Sequence, residues 1–425
     1  MRNASLKIAI VGYGTAGQTA AILLSRDGHA VEVFERANEL GPVGAGFLLQ
    51  PIGLHVLWEM GLLESALAHG RRITRLYGET PNGRGVMDMR YAELDARLFG
   101  LGMQRGALFS LLANAWGDLD QVHRGCRIVS ASEDGRRIRD ESGREHGPFD
   151  LVLAADGSAS SLRTAVGRPR LDRPYPWGAL WCLLPQDDWS FPNELRQRYV
   201  AARKMIGILP VGTRPGDSRP RVSFFWSLPT ATFDAWTSTG IEPWLDEVAE
   251  LWPEVRARLD SIGDGAGLAR ASYRDAVPER WHRGRLVLLG DAAHAMSPQL
   301  GQGVNMALLD ALAIRDALRT ETSVENAITR YQRGRIAHVG AYQFWSRWLT
   351  PLFQSERDFV AKLRDLAFLP LGRLWGGRGL MLRVLSGTQH GILGKLRLPS
   401  EFLSTLDIAD QGVGAAEVND GPLSF

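Results

Sequence analysis

The chain has 425 residues, 45% of them hydrophobic and 23% charged, which is long enough for two closely packed domains and ordinary for a soluble globular protein. Its 49 basic and 47 acidic residues nearly cancel, so composition gives no field for nucleic acid or an acidic partner. No apolar run reaches the roughly 18 residues of a spanning helix, and Met1 to Val11 lacks a signal-peptide layout, so a cytoplasmic location follows by default.

Lys7 to Val11 reads as a strand that runs into Gly12-Tyr13-Gly14-Thr15-Ala16-Gly17, and Gln18 to Asp27 reads as a helix. A second strand, Ala30 to Phe34, ends in Glu35 and Arg36. This is the dinucleotide fingerprint in the context it requires. Gly12 makes the tight turn, Gly14 lets a pyrophosphate approach the backbone, and Gly17 allows close helix–strand packing. The turn residues Thr15 and Ala16 open the helix, whose free N–H groups face the pyrophosphate. Glu35 is placed to accept hydrogen bonds from a ribose.

Further on come Gly44-Ala45-Gly46-Phe47-Leu48-Leu49-Gln50-Pro51-Ile52-Gly53, then Met103-Gln104-Arg105-Gly106-Ala107-Leu108. Leu151 to Ala154 is an apolar strand leading into Ala155-Asp156-Gly157 and on through Ser160 to Arg163. Alone, that segment would be an acidic turn capping a helix at Ser160 or Ser161. Between Pro174 and Asp275 the texture changes. Trp177–Leu184, Met205–Leu209 and Val222–Leu228 read as strands, Pro210–Pro220 as a loop and Ile241–Leu259 as a helix. Tyr199, Phe224 and Trp226 are candidate pocket walls there, and ordinary sheet core explains each as well. Gly263-Asp264-Gly265-Ala266-Gly267 lacks a preceding strand and reads as a flexible turn, so the chain has no second dinucleotide fingerprint. Cys126 and Cys182 have neither metal spacing nor a C-x-x-C motif, so both read as small buried side chains and no metal is expected.

Arg285 to Leu289 suits a strand buried on both faces. It leads into Gly290-Asp291-Ala292-Ala293-His294, then Pro298, then Gly301-Gln302-Gly303-Val304-Asn305, after which Asn305 to Leu318 has helical spacing. An acid at a strand's end can hold a chain of hydroxyls. Gly301 and Gly303 let backbone approach a flat ligand, and a helix start favours negative charge. His294 sits in the turn itself, where packing explains it better than catalysis. From about residue 346, Trp348, Phe353, Phe359, Phe368 and Trp375 recur at roughly helical spacing, as a covering stripe, a dimer face or a peripheral membrane contact. The segment beyond Ile408 is small, glycine-bearing and mildly acidic, and reads as disordered.

The three glycine- and aspartate-bearing motifs, in this order, resemble those of the single-component flavin-dependent aromatic monooxygenases, the p-hydroxybenzoate hydroxylase family. The G-Q-G-x-N run is similar to the ubiquinone-biosynthesis-hydroxylase branch. The resemblance covers roughly the first 350 residues. It implies an α/β fold: a Rossmann-type FAD-binding domain with an inserted β-sheet substrate domain and C-terminal helices. The expected boundaries are 1–75, 100–172 and 275–345 for the FAD domain and 76–99 and 173–274 for the substrate domain. Residues 346–408 are the C-terminal helices, and 409–425 a disordered tail. The resemblance assigns non-covalent FAD to Gly12, Gly14, Thr15, Ala16, Gly17, Glu35, Arg36, Asp156, Asp291 and Gly301. Gly303, Val304 and Asn305 would lie along the ring's pyrimidine edge, Arg105 beside the flavin, and the Ile128 backbone at the adenine. Gln50 and Pro298 would lie near flavin and substrate. Phe47 and Ile52 depart from the family's usual run, which weakens the transfer of any particular substrate.

The implied activity is hydroxylation of an electron-rich aromatic. NADPH or NADH reduces the flavin and leaves, O2 adds as a C4a-hydroperoxide, and one oxygen passes to the ring. The protein's share is positioning and exclusion of water, which needs no nucleophile set. Reductase, epoxidase and Baeyer–Villiger chemistry on the same fold stay open, as does a monomer or homodimer. A halogenase needs a lysine between the dinucleotide motif and the substrate region, and none occurs between Lys7 and Lys204. A flavoprotein kept only as a binding module is disfavoured by its intact cofactor motifs.

Overall fold

The computed structural model describes residues 5–41, 44–233, 240–262, 267–355, 358–373 and 377–416. Gly263–Ala266, Trp375 and the last nine residues of the expected tail lie outside them, as does the side chain of Phe368.

A six-stranded sheet carries the glycine motifs. Its order is His282–Arg283, Leu286–Leu288, Leu151–Ala154, Lys7–Val11, Ala30–Phe34, Val122–His123. All neighbours run parallel except the first pair. Ile8, Ala9, Ile10 and Leu151 to Ala154 have no exposed surface, because helices cover both faces of a parallel sheet. The helix Thr15–Arg26 lies against Gly303–Thr320, so the first and last motifs meet at one end of the sheet.

A seven-stranded, mostly antiparallel sheet stands beside it. Its order is Ala269–Pro278, Pro169–Pro185, Asp217–Pro229, Lys204–Arg214, Glu194–Val200, Arg75–Glu79, Gly85–Arg90. The Arg75–Glu79 hairpin thus joins the later strands. Pro210–Pro220, expected as a loop, is instead the end of a hairpin whose strands reach Arg214 and Asp217. A register shift at Gly212, with φ +60°, accommodates Pro210 without a broken ladder. The expected helix Ile241–Leu259 is two helices, Glu242–Leu251 and Pro253–Leu259, divided where Pro253 removes an N–H and Trp252 leaves helical geometry.

The two faces of this sheet bury different things. Leu180, Cys182, Ile206, Ile208, Phe224 and Trp226 form a separate core with Trp244, Leu245 and Val248 of the covering helix. Leu209 and Val211 belong to the core shared with the parallel sheet. At the C-terminus, Val324–Phe353 and Asp358–Arg373 are helices in which Phe353 is buried, while Trp348 and Phe359 stay exposed. The last helix, Ser400–Ala416, takes in residues 409–416 of the expected disordered tail. Phe402 and Leu406, one turn apart and fully buried, anchor it, and Phe402 packs against His55 and Trp58.

Candidate active site

Gly12 has φ +101°, and a Cβ there would lie 2.5 Å from the Ala155 carbonyl oxygen. A Cβ on Gly17 would lie 2.0 Å from the Gly12 oxygen, so that glycine is required by helix–strand contact. Gly14 differs. Its φ of −79° suits any residue, and a Cβ would meet nothing within 4 Å. The space before the helix is open, and the helix start has no side-chain cap. Uncapped N–H groups facing an open space suit a phosphate. Thr15 and Ala16 form the first helical turn, while Arg36 points to solvent.

Glu35 already has work within the chain. Its Oε2 accepts the Tyr13 N–H at 2.7 Å and its Oε1 the Ala37 N–H at 2.9 Å. It therefore fixes the glycine loop and offers a ribose only its remaining lone pairs. Ile128 is buried, and its carbonyl accepts the Ser161 hydroxyl at 2.8 Å. Asp156 Oδ2 accepts the Ser161 N–H at 2.9 Å, the turn geometry that a plain capping acid would adopt. Its Oδ1 is buried and has no hydrogen-bond partner among the described residues. Arg163 ties this motif to the last one. It donates to the Ala292 and Asp291 carbonyls at 2.9 and 3.0 Å and pairs with Asp172 at 3.1 Å.

Asp291 opens a short turn of helix after a Gly290 with φ +57°. Gly290 abuts Ala16, whose Cβ would be 3.1 Å from a Cβ at 290. The Asp291 carboxylate is exposed and accepts no hydrogen bond from the described residues. A Cβ on Gly303 would lie 3.8 Å from its Oδ1, so it stands at the uncapped start of the helix Gly303–Thr320. Gly301, with φ +61°, is exposed, Val304 is half-buried, and Pro298 begins the preceding 3-10 turn. Asn305 is fully buried. It accepts the Gln50 N–H at 2.8 Å and donates to the Gly301 carbonyl at 3.1 Å. Its side chain is thus spent on the scaffold, leaving the backbone of this segment for a ligand edge. Gln50 is buried too, its Oε1 accepting the Tyr91 hydroxyl at 2.6 Å.

Arg105 is exposed to solvent yet has protein close around it, and burial lowers its pKa against the opposing charge of Asp291. Gly44 passes so close that a Cβ there would lie 2.9 Å from Arg105 Cδ, and the guanidinium lies 5.7 Å from the Phe47 ring centroid. Tyr273 accepts the Trp181 indole N–H at 3.2 Å, and the Trp181 ring lies 5.0 Å from Phe225.

Two expected pocket walls face the wrong way. Phe224 and Trp226 point out of the sheet and pack edge-on against Trp244, 5.8 Å away in both cases. The alternation of a strand puts Phe225 on the inward face instead. Tyr199 is on that inward face but is covered by Phe353, at 5.1 Å, and by Arg364. Phe225, Trp181 and Tyr273 were missed, and only the direction of alternation could have found them. His294 is fully buried and pairs with Asp310 at 2.6 Å, so the packing role holds. Asp310 also receives the Gly290 N–H at 2.8 Å and Arg335 at 2.7 Å, and Arg335 meets His338. Burial works to raise the Asp310 pKa, but the charges of His294 and Arg335 outweigh it and hold it at about 2.

The FAD binding domain family model matches residues 5–342. The chain belongs to the FAD binding domain family. It is 27% identical over 365 residues to an aurachin C monooxygenase/isomerase of Stigmatella aurantiaca, covering 85% of this chain and 93% of that one. It is 29% identical to an FAD-dependent urate hydroxylase of Klebsiella oxytoca, covering 79% and 87%. Its fold matches the structure of a single-residue variant of Klebsiella pneumoniae HpxO complexed with FAD, with a TM-score of 0.75, 23% identity and coverage of 92% and 100%. This family member is an FAD-dependent monooxygenase of the aromatic-hydroxylase type, a flavoprotein oxidoreductase with NAD(P)H as co-substrate. No described helix is long and apolar enough to cross a membrane.

Proposed function

We propose that this monooxygenase hydroxylates a planar, electron-rich aromatic or heteroaromatic molecule in the cleft between the inward face of the large sheet and the glycine motifs. The observation that carries this reading is the run of contacts from Phe225 through Trp181 to Tyr273 on the inward sheet face, with Tyr273 and Asp291 both close enough to act on Arg105. Aromatic walls favour a flat ring by stacking and burial. FAD supplies the reductive activation of O2 when bound. The protein's own share is geometric. The N–H groups at Thr15–Gly17 would bind pyrophosphate, Asp291 the ribityl hydroxyls, and the backbone of Gly303–Asn305 the pyrimidine edge. Arg105 would hold the flavin side and Gln50 the near edge of the cleft. Trp181 and Phe225 would hold the substrate ring and exclude water.

The same reading takes FAD as non-covalent. Cys182 faces the outer core, and the Cys126 thiol is turned toward Asp140 of the small sheet. It also takes the nicotinamide as a visitor, the protein as cytoplasmic, and the domains as divided by the boundaries given above. The relatives that act on urate and aurachin C support a fused nitrogen heterocycle or a phenol-like ring as the class. The test is a panel of phenols, anilines and quinolones added to the FAD-loaded protein, with NAD(P)H oxidation followed. The reading expects slow oxidation alone and faster oxidation with at least one of these rings. Indifference to every ring, with FAD bound, would overturn it.

A further inference from the structure

Three strands of a small sheet, Ile128–Ala131, Ile138–Asp140 and Glu145–His146, bring together three side chains that the flavin site does not use. Cys126 just precedes the first strand, Asp140 ends the second and His146 ends the third. Asp140 Oδ2 lies 2.8 Å from His146 Nε2 and 3.7 Å from Cys126 Sγ, and the two other atoms are 3.9 Å apart. Zn–S and Zn–N/O bonds of about 2.3 and 2.0–2.1 Å at tetrahedral angles require ligand separations of roughly 3.3–3.6 Å. The triangle is within about half an ångström of that on every edge.

We propose that Cys126, Asp140 and His146 form a structural transition-metal site of the Zn2+ class, with solvent as the fourth ligand. The donor set of one thiolate, one imidazole and one carboxylate suits Zn2+ and excludes the hard ions Mg2+ and Ca2+. The carboxylate is oriented in advance: Asp140 Oδ1 accepts the Ser142 N–H at 3.0 Å, the Ser142 hydroxyl at 2.6 Å and the Arg144 N–H at 3.0 Å. Such outer partners aim a ligand and strengthen the site. Cys126 and His146 are half-buried while Asp140 is buried, which leaves one side open for water. Sequence spacing conceals the site, because its ligands are 14 and 6 residues apart.

Without an ion, one carboxylate oxygen receives both the thiol and the imidazole proton. Zn2+ replaces the thiol proton, which leaves to solvent, and the imidazole proton moves from Nε2 to Nδ1. One proton is released per ion, so affinity rises about tenfold per pH unit. The site backs onto the cofactor loop: the Cys126 N–H donates to the Glu35 carbonyl at 2.9 Å, and the Phe34 ring meets His146 at 4.9 Å. An ion here clips the small sheet to the strand end that holds Glu35.

The test uses tag-free, chelator-stripped, FAD-loaded protein titrated with Co2+, read in the red d–d bands beyond the flavin absorption. The expected result is one Co2+ per chain with tetrahedral intensity, displaced by Zn2+, and a higher melting temperature with either ion. Cys126→Ser and His146→Ala should lose the bands. Ser142→Ala, which keeps all three ligands, should bind about tenfold more weakly and guards against a ligand variant that does not fold. Absence of stoichiometric uptake by the wild type overturns the proposal, as does uptake that survives both ligand substitutions.

Discussion

The Tyr13 backbone N–H lies 2.7 Å from Glu35 Oε2, so the acid at the end of the second strand holds the glycine loop in place. Its other oxygen accepts the Ala37 N–H. Glu35→Gln can keep only one of these bonds, because its amide NH2 would oppose the other N–H. Glu35→Ala loses both. Each charge-assisted bond is worth roughly 1.5–3 kcal/mol, so FAD affinity should fall in the order wild type, Gln, Ala, with about tenfold or more at each step. Flavin fluorescence during reconstitution measures it. Equal affinity in all three proteins would remove Glu35 from the site.

Asp291→Ala should separate binding from folding. The carboxylate accepts no hydrogen bond from the described residues and is exposed, so the apo protein should melt within about 0.5 kcal/mol of wild type. FAD affinity should drop by roughly 1.5–3 kcal/mol. Comparable losses in apo stability and FAD affinity would contradict this role.

Phe224 and Phe225 offer a paired test of the substrate face. Phe224→Ala empties a core position beside Trp244 and should cost about 3–5 kcal/mol of stability with little change in KM. Phe225→Ala should instead raise KM for the aromatic substrate and waste more NAD(P)H per product. Urea unfolding and coupled product assays read the two effects. The reverse pattern would invert the assignment of faces.

Acid should destabilise the buried network in two stages. Burial first, then the Arg335 charge, lowers the His338 pKa from 6.5 to about 2. The unfolded chain therefore binds a proton below pH 6.5 that the folded chain refuses. Stability falls with pH by about 1.4 kcal/mol per unit for this group. Asp310, with its folded pKa at about 2 against 3.8, adds a second loss of the same sign below pH 3.8. His338→Gln should flatten the decline between pH 6.5 and 4 by about 1.4 kcal/mol per unit. An unchanged slope in that variant would count against the neutral buried histidine.

The parts of this molecule that were legible in the sequence are those where backbone and local pattern decide. Gly12 is demanded by its own left-handed φ and Gly17 by a contact within the fingerprint itself, and Leu151–Ala154 and Ala30–Phe34 are strands by apolar pattern alone. What alternation cannot say is which face of a strand meets which neighbour. Phe224 and Phe225 are equally aromatic, and only the helix bearing Trp244 decides which is core. Tyr199 likewise looks inward but is claimed by Phe353 from a helix far along the chain. The motif places Asn305 along the flavin edge, but it cannot show that the side chain serves the scaffold through the distant Gln50 backbone. Pro210 looked like a loop residue because the register shift at Gly212 that admits it depends on the paired strand.

The most direct measurement is the origin of the oxygen in the product. With an aromatic ligand that stimulates NAD(P)H oxidation, the reaction is run under isotopically labelled O2 and the product analysed by mass spectrometry. The account predicts one labelled oxygen atom in the product ring, with product formation lost in the absence of O2. Oxygen drawn from water, a halogen from the buffer, or two added hydrogens without oxygen would each contradict it.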